Sequence, residues 1–299
     1  MWSFGFQFFR IRYLLIQLYR PEDRFKYIDD LSILHLILFS GLLVEYDIMK
    51  QVPSDIGVDH AFLPTMEFAT QDCIDKISSW TTDNLMKLNE QKCNYMIFSR
   101  SSTEFTTRLH INDHLLERVS SFKLLGVQIS EDLSWDKNCQ EICRKAYSRI
   151  SLLTKLKYAG VSIEDLIEIY ILFIRSIAEY CCVLFHSSLT VKQSNKLEII
   201  QKTCLRVILG DMYVNYSAAL EMTGLKSLFD RREDRCLTFA LKCTKTPLGN
   251  RLFPLNQVEN ERLIRTREKY IVNFARTDTY KESAVPFCQR LLNKHFLSK

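Results

Sequence analysis

From Ser134 onward apolar residues recur at three- and four-residue spacing, and this run constrains the fold more than any other feature. Cys139, Ile142, Cys143, Ala146, Ile150, Leu153 and Leu156 fall on one face of a helix. Ser134 or Asp136 is the expected cap, and Gly160 the stop. Ser162 is expected to cap a second helix, "IEDLIEIYILFIRSIAEYCCVLF", which is apolar on nearly every side and therefore central in its bundle. A third helix, Val191 to Leu209, presents Leu197, Ile200, Cys204, Leu205 and Ile208 before Gly210. A further one is expected around 231–243. The second half of the chain thus reads as an α-helical bundle.

The first half reads differently. "EYDIMKQVPSDIGVDHAFLP" is a loop of about twenty residues, marked by Pro53, Gly57 and Pro64. A helix is expected from Gln71 to Lys87, then a short buried strand in "NYMIFS", a hairpin turn in "INDHLL", and a strand, "FKLLGVQI", that turns at Gly126. The fold class is therefore α+β with helix predominating. The expected divisions are an aromatic and apolar segment at 1–23, an α+β segment at 24–130, a helical domain at 131–246 and a basic C-terminal tail at 247–299.

Composition excludes several classes. With 47% hydrophobic residues, 8 Gly and 6 Pro in 299 residues, the chain is a packed protein and not a disordered one. Its ten cysteines show no C-x-x-C spacing, and no histidine stands at a zinc-like distance from a cysteine pair, so they read as reduced, buried, small hydrophobes. The expected location is intracellular, cytoplasm or nucleus. "MWSFGFQFFRIRYLLIQLYR" has the look of a membrane anchor, but Arg10 and Arg12 interrupt it, and Leu31 to Val44 is too short to span a bilayer. Charge is uneven: residues 1–191 hold 20 Lys+Arg against 24 Asp+Glu, and residues 192–299 hold 20 against 11. The last third would attract a polyanion.

"FKYIDDLSI" sets Asp29 and Asp30 side by side with an aromatic or apolar residue on each flank. The dipeptide alone says little, since chance supplies about one Asp-Asp in a chain of this composition. Its flanks, however, imply a strand-turn-strand, and a hairpin tip holds two carboxylates close together, as a divalent cation requires. "FKYIDDLSIL" resembles the Y-x-D-D motif of the reverse-transcriptase palm. "WTTDNLMKLNEQKCNYMIFS" is similar to the helix-to-strand segment that follows that motif, and "SFKLLGVQISEDLSWDKN" to the primer-grip hairpin and the start of the thumb. The order of these blocks, with "YSAALEMTGLKSLFDRREDRCLTFALK" after them, resembles the C-terminal half of reverse transcriptases from non-LTR retrotransposons.

The resemblance implies a partial palm over 24–130, a thumb-like bundle over 131–246, and a set of roles. Asp29 and Asp30 would hold catalytic Mg²⁺ or Mn²⁺, with Tyr27 against the primer terminus or the incoming nucleotide. Lys92 would sit near the nucleotide's phosphates, as electrostatic support or proton donor. Phe122, Leu124, Leu125 and Gly126 would position the primer strand, and Arg262, Arg265, Arg267 and Lys269 would contact the duplex. The implied partner is an RNA/DNA template–primer duplex, with no small-molecule cofactor. Each residue has a plainer reading. Lys92 is a surface lysine, Gly126 a turn glycine, Trp135 a staple at a helix start, and "RLIRTREK" a solvated helix face.

The family pattern also calls for a third carboxylate on a strand ahead of Y-x-D-D. Only 26 residues precede Tyr27 here, and their only acids, Glu22 and Asp23, lack the required neighbours. The expectation is a truncated relative, silent in polymerisation, with nucleic-acid binding as its remaining activity. The alternatives are a helical protein-interaction module with no nucleic-acid role and, least favoured, a protein inserted in a membrane through its first twenty residues.

Overall fold

The computed structural model describes residues 63–83, 85, 89–97, 108–256 and 268–297, and the chain divides after Ser134 into two compact units. In the first unit, helix α1 (Leu63–Asp83) begins earlier than the periodicity predicts and ends earlier too. Its Ile74 is buried against Leu109, Ile111 and Leu116. One turn away, the Gln71 carboxamide donates to the His110 carbonyl (2.9 Å) and accepts from the His110 N–H (3.0 Å). Both backbone groups of an edge residue are thereby satisfied by one side chain.

That edge belongs to β2 (His110–Ile111), which pairs antiparallel with β3 (His114–Leu115) through the expected turn. Asn112 takes the left-handed conformation there (φ 52°), as asparagine does at less cost than most residues. Among the described residues of "NYMIFS" the strand is β1 (Asn94–Tyr95), and it runs parallel to β4 (Glu117–Arg118) rather than forming an antiparallel hairpin. The hairpin of β5 (Ser121–Leu124) and β6 (Val127–Ser130) is antiparallel and turns at Gly126, as expected.

The second unit is helical. α2 (Asp136–Tyr158) buries Cys139, Ile142, Ala146, Ile150 and Leu153, the predicted face. Neither predicted residue caps it: Trp135 stands at the N-cap without a side-chain hydrogen bond, and its ring meets Phe185 at 5.7 Å. Apolar packing fixes the helix entry, and Asp136 in the first turn complements the dipole. α6 (Val191–Leu209) has the predicted bounds, a Thr190/Gln193 capping box and a stop at Gly210 (φ 56°).

The second predicted helix is broken into pieces. α3 (Ile163–Ile169), capped by Ser162, passes into a π-helical turn (Tyr170–Arg175) and then α4 (Ser176–Glu179). At Cys181 the backbone turns left-handed (φ 52°), and α5 (Cys182–Phe185) follows. An ideal α-helix drifts forward by about 40° every four residues. The wider π turn takes that drift back, so Leu166, Tyr170, Ile174 and Ala178 keep one heading, each at most 1% exposed. Leu172 and Phe173, on the far side, are 64% and 54% exposed, so this segment is not enclosed on every side.

α7 (Tyr216–Thr223) and α8 (Leu228–Cys243) complete the core. Glu198 of α6 accepts the N–H groups of Leu228 (3.0 Å) and Phe229 (3.1 Å) and the Tyr216 hydroxyl, so one carboxylate caps α8 from outside. Gln201 accepts from the Tyr170 hydroxyl (2.6 Å) and donates to the Lys226 carbonyl (2.9 Å).

The described residues after Pro247 do not form an appended tail. α9 (Pro247–Leu252), α10 (Asp278–Lys281) and α11 (Ala284–Leu297) belong to the helical unit, and α11 buries Cys288, Leu291 and Leu292. Two amides on α11 pin the chain beside it. Asn293 brackets both backbone groups of Tyr270 (2.8 and 2.9 Å), and Gln289 joins the Leu252 carbonyl to the Asn273 N–H (2.8 and 3.1 Å).

Candidate nucleic-acid interface

Tyr27, Asp29 and Asp30 lie outside the described residues, as do Arg262, Arg265 and Arg267. Lys92 ends a single 3₁₀ turn, Glu90–Lys92, on the surface. Lys269 is exposed and stands over the Phe296 ring at 3.8 Å and near that of Tyr270 at 5.8 Å. It is engaged in the fold of its own unit, where the attraction of an ammonium for an aromatic face holds it.

The β5–β6 hairpin brings Phe122, Leu124, Leu125 and Gly126 together at one tip, with Phe122 opposite Ile129 and Leu124 opposite Val127. Its two-residue loop has positive φ at both Leu125 (48°) and Gly126 (93°). Such a turn suits the right-handed strand twist and favours Asn-Gly, whereas a leucine in the first position is strained by about 1 kcal/mol. Leu125→Asn is expected to raise stability by about 0.5 kcal/mol, read as a higher urea midpoint. A lower midpoint would mean that the half-buried leucine contributes more by packing than the strain costs.

The helical unit carries the positive charge. Residues 135–299 hold 27 Lys+Arg against 17 Asp+Glu, an excess of ten. On α2, Lys137, Arg144 and Lys155 are exposed and lie 7 and 11 residues apart, within about 20° of one line along the helix, with Arg144 also held by Glu141 through two bonds (2.8 and 3.0 Å). Ser148 and Ser151, also exposed, lie between them, so a backbone could approach this row closely. Lys192, Lys196 and Arg206 occupy one exposed face of α6. Arg206 is also 5.4 Å from the Tyr213 ring, as Lys202 is 5.0 Å from that of Tyr216.

The helical unit also holds a cluster of charges that the sequence reading did not single out. The Glu179 side chain is 2% exposed and meets three arginines: Arg231 Nε (3.0 Å) and Nη2 (3.2 Å), Arg235 Nε (2.5 Å) and Arg175 Nε (3.5 Å). Burial pushes the carboxyl pKa up, but hydrogen bonds and charge from Arg231 and Arg235 outweigh it and hold the pKa below the ordinary value. Arg175 is pulled down, first by burial and then by repulsion from Arg231 and Arg235, although Glu179 opposes this. A signal was legible: Arg175 and Glu179, and likewise Arg231 and Arg235, are four apart and so share a helix face.

Arg232 is fully buried. Its Nε donates to His186 Nδ1 (3.4 Å) and its Nη2 to Ser194 Oγ (3.1 Å). His186 accepts through Nδ1 and is therefore the neutral Nε2–H tautomer, flanked by the rings of Phe229 (5.0 Å) and Phe287 (5.6 Å). Burial, and next the Arg232 charge, lower its pKa to about 4.

The nine cysteines whose side chains are described are all free thiols. Burial raises Cys139, Cys182, Cys204 and Cys243 to about 12, so they stay protonated and inert. Among the described residues no group of three or more His, Cys, Asp or Glu could hold a metal ion, and no helix is long and apolar enough to cross a membrane. The chain matches no protein-family model, no curated protein and no solved structure.

Proposed function

We propose that the chain is a reverse-transcriptase-like protein derived from a non-LTR retrotransposon RNA-directed DNA polymerase, in which the helical unit binds an RNA–DNA template–primer duplex and nucleotidyl transfer is silent. The reading rests on the sequence blocks from "FKYIDDLSI" to "SFKLLGVQIS", taken in order. The observation that carries the binding half is the row Lys137, Arg144 and Lys155 on a helix that buries its opposite face. Cations aligned along one helix face can meet phosphates along a backbone, and such contacts supply most of the sequence-independent affinity.

An RNA–DNA hybrid is expected to bind the chain with an affinity that falls steeply with salt, followed by fluorescence anisotropy. Changing Lys137, Arg144 and Lys155 together to Gln should lower the slope of log K against log salt by about 2 to 3, as three phosphate contacts are lost. Absence of binding at low salt would remove this reading and leave the helical interaction module. In primer extension on an RNA template with Mg²⁺ or Mn²⁺, the 299-residue chain is expected to add no nucleotide. Extension that Asp29→Asn abolishes would overturn the claim of silence.

A further inference from the structure

We propose that Arg175, Arg231 and Arg235, arranged around Glu179, form a binding site for a phosphate oxyanion. Three guanidiniums meet one carboxylate, so the cluster holds a charge of +2 that Glu179 does not cancel. A structural ion pair needs one arginine for one carboxylate, and Arg231 alone already grips Glu179 with two parallel bonds. Arg235 adds one bond through Nε, and Arg175 reaches the carboxylate only at 3.5 Å. The remaining guanidinium nitrogens (both Nη of Arg175, both Nη of Arg235 and Nη1 of Arg231) have no other partner among the described residues.

Arg175 and Arg231 are held by burial, and Arg235 stands at the rim. Glu179 closes α4, just before the left-handed break at Cys181, and Arg175 closes the π turn. Arg231 and Arg235 stand one turn apart on α8. Their side chains are 15%, 28% and 51% exposed in the order Arg175, Arg231 and Arg235, so the donors form a shelf from the interior to solvent. A planar carboxylate has two oxygens and one charge, and Glu179 already supplies these. The excess of charge and the donors arriving from two elements suit a tetrahedral ion with more oxygens and up to two charges.

The source of the phosphate is either the backbone of a bound nucleic acid, which rests on the function proposed above, or free phosphate, which does not. Variants that keep the charge around Glu179 separate binding from folding, so Arg231→Lys and Arg235→Lys are compared with the unaltered full-length chain. At constant ionic strength, inorganic phosphate should raise the melting temperature of the unaltered chain by about 3 °C over chloride or acetate, and each variant should lose that shift. Affinity for the RNA–DNA hybrid should fall about tenfold in each variant, and phosphate should compete with the hybrid. A phosphate shift that depends on the arginines, without hybrid binding by any form, would assign the site to free phosphate and remove the function proposed above. Hybrid binding that is equal in all three forms, with no phosphate shift, would overturn the site and leave that function standing. A shift as large with acetate would also overturn it, since the arginines would then accept any carboxylate.

Discussion

Glu179→Ala is expected to lower the stability of the helical unit by about 3 kcal/mol, read from urea unfolding followed by circular dichroism. Removing one member of a buried ion pair strands the other, and this typically costs 3–5 kcal/mol. The lower end applies because Arg235 is half exposed and can turn toward water. Arg175 cannot, being 15% exposed with Glu179 as its only partner among the described residues. Glu179→Gln keeps an acceptor without the charge and should lose less. A loss below about 1 kcal/mol in the alanine variant would show that all three guanidiniums rehydrate, and that the carboxylate does not hold α4 to α8.

Acid should destabilise the same unit well before its carboxylates titrate. His186 is neutral in the folded chain, with a pKa near 4 against an ordinary 6.5. As pH falls through 6.5 the unfolded chain takes up a proton that the folded chain refuses, so stability drops until pH approaches 4, by about 3 kcal/mol in all. The protonated ring would lose its acceptor nitrogen and face the Arg232 guanidinium as a second cation between two phenylalanines. His186→Gln retains an acceptor for Arg232 and should flatten the profile between pH 6.5 and 4.5. Glu179 contributes only lower down, since its folded pKa lies below the carboxylate norm and its share is lost once pH passes beneath that norm. An unaltered chain whose unfolding midpoint is constant from pH 7 to 5 would contradict this account.

The helical unit was readable because its helices are long and one-sided. Over α2 and α6 the three- and four-residue spacing selected the buried residues, and Gly210 marked the end of α6. The cap of α2 was not readable, because Trp135 enters by packing its ring at a tilt against Phe185, fifty residues away, and no local rule of capping chemistry covers such a contact. The break at Cys181 was hidden for a similar reason. The composition of "IAEYCCVLF" is continuous, and a left-handed cysteine is imposed by the surrounding packing rather than preferred locally. Charge alone was a poor guide. Lys269, expected on the duplex, lies on Phe296, and nothing in "RREDR" marks Arg232 as the arginine that is wholly buried. The parallel pairing of β1 with β4 involves two residues on each side, too few for an alternating pattern to register.

The π turn at Tyr170–Arg175 holds one residue more than the core requires. On either side of it the line from Leu166 to Ala178 faces the same way, so shortening the chain by one position between Leu172 and Phe173 would restore ordinary pitch without rotating the helix beyond that point. A deletion anywhere else in that stretch would turn every later side chain by about 100° and draw the core line apart. In a lineage descended from this sequence, single-residue changes of length are therefore confined to one solvent-facing place, and the irregularity in the helix is the point at which it tolerates them.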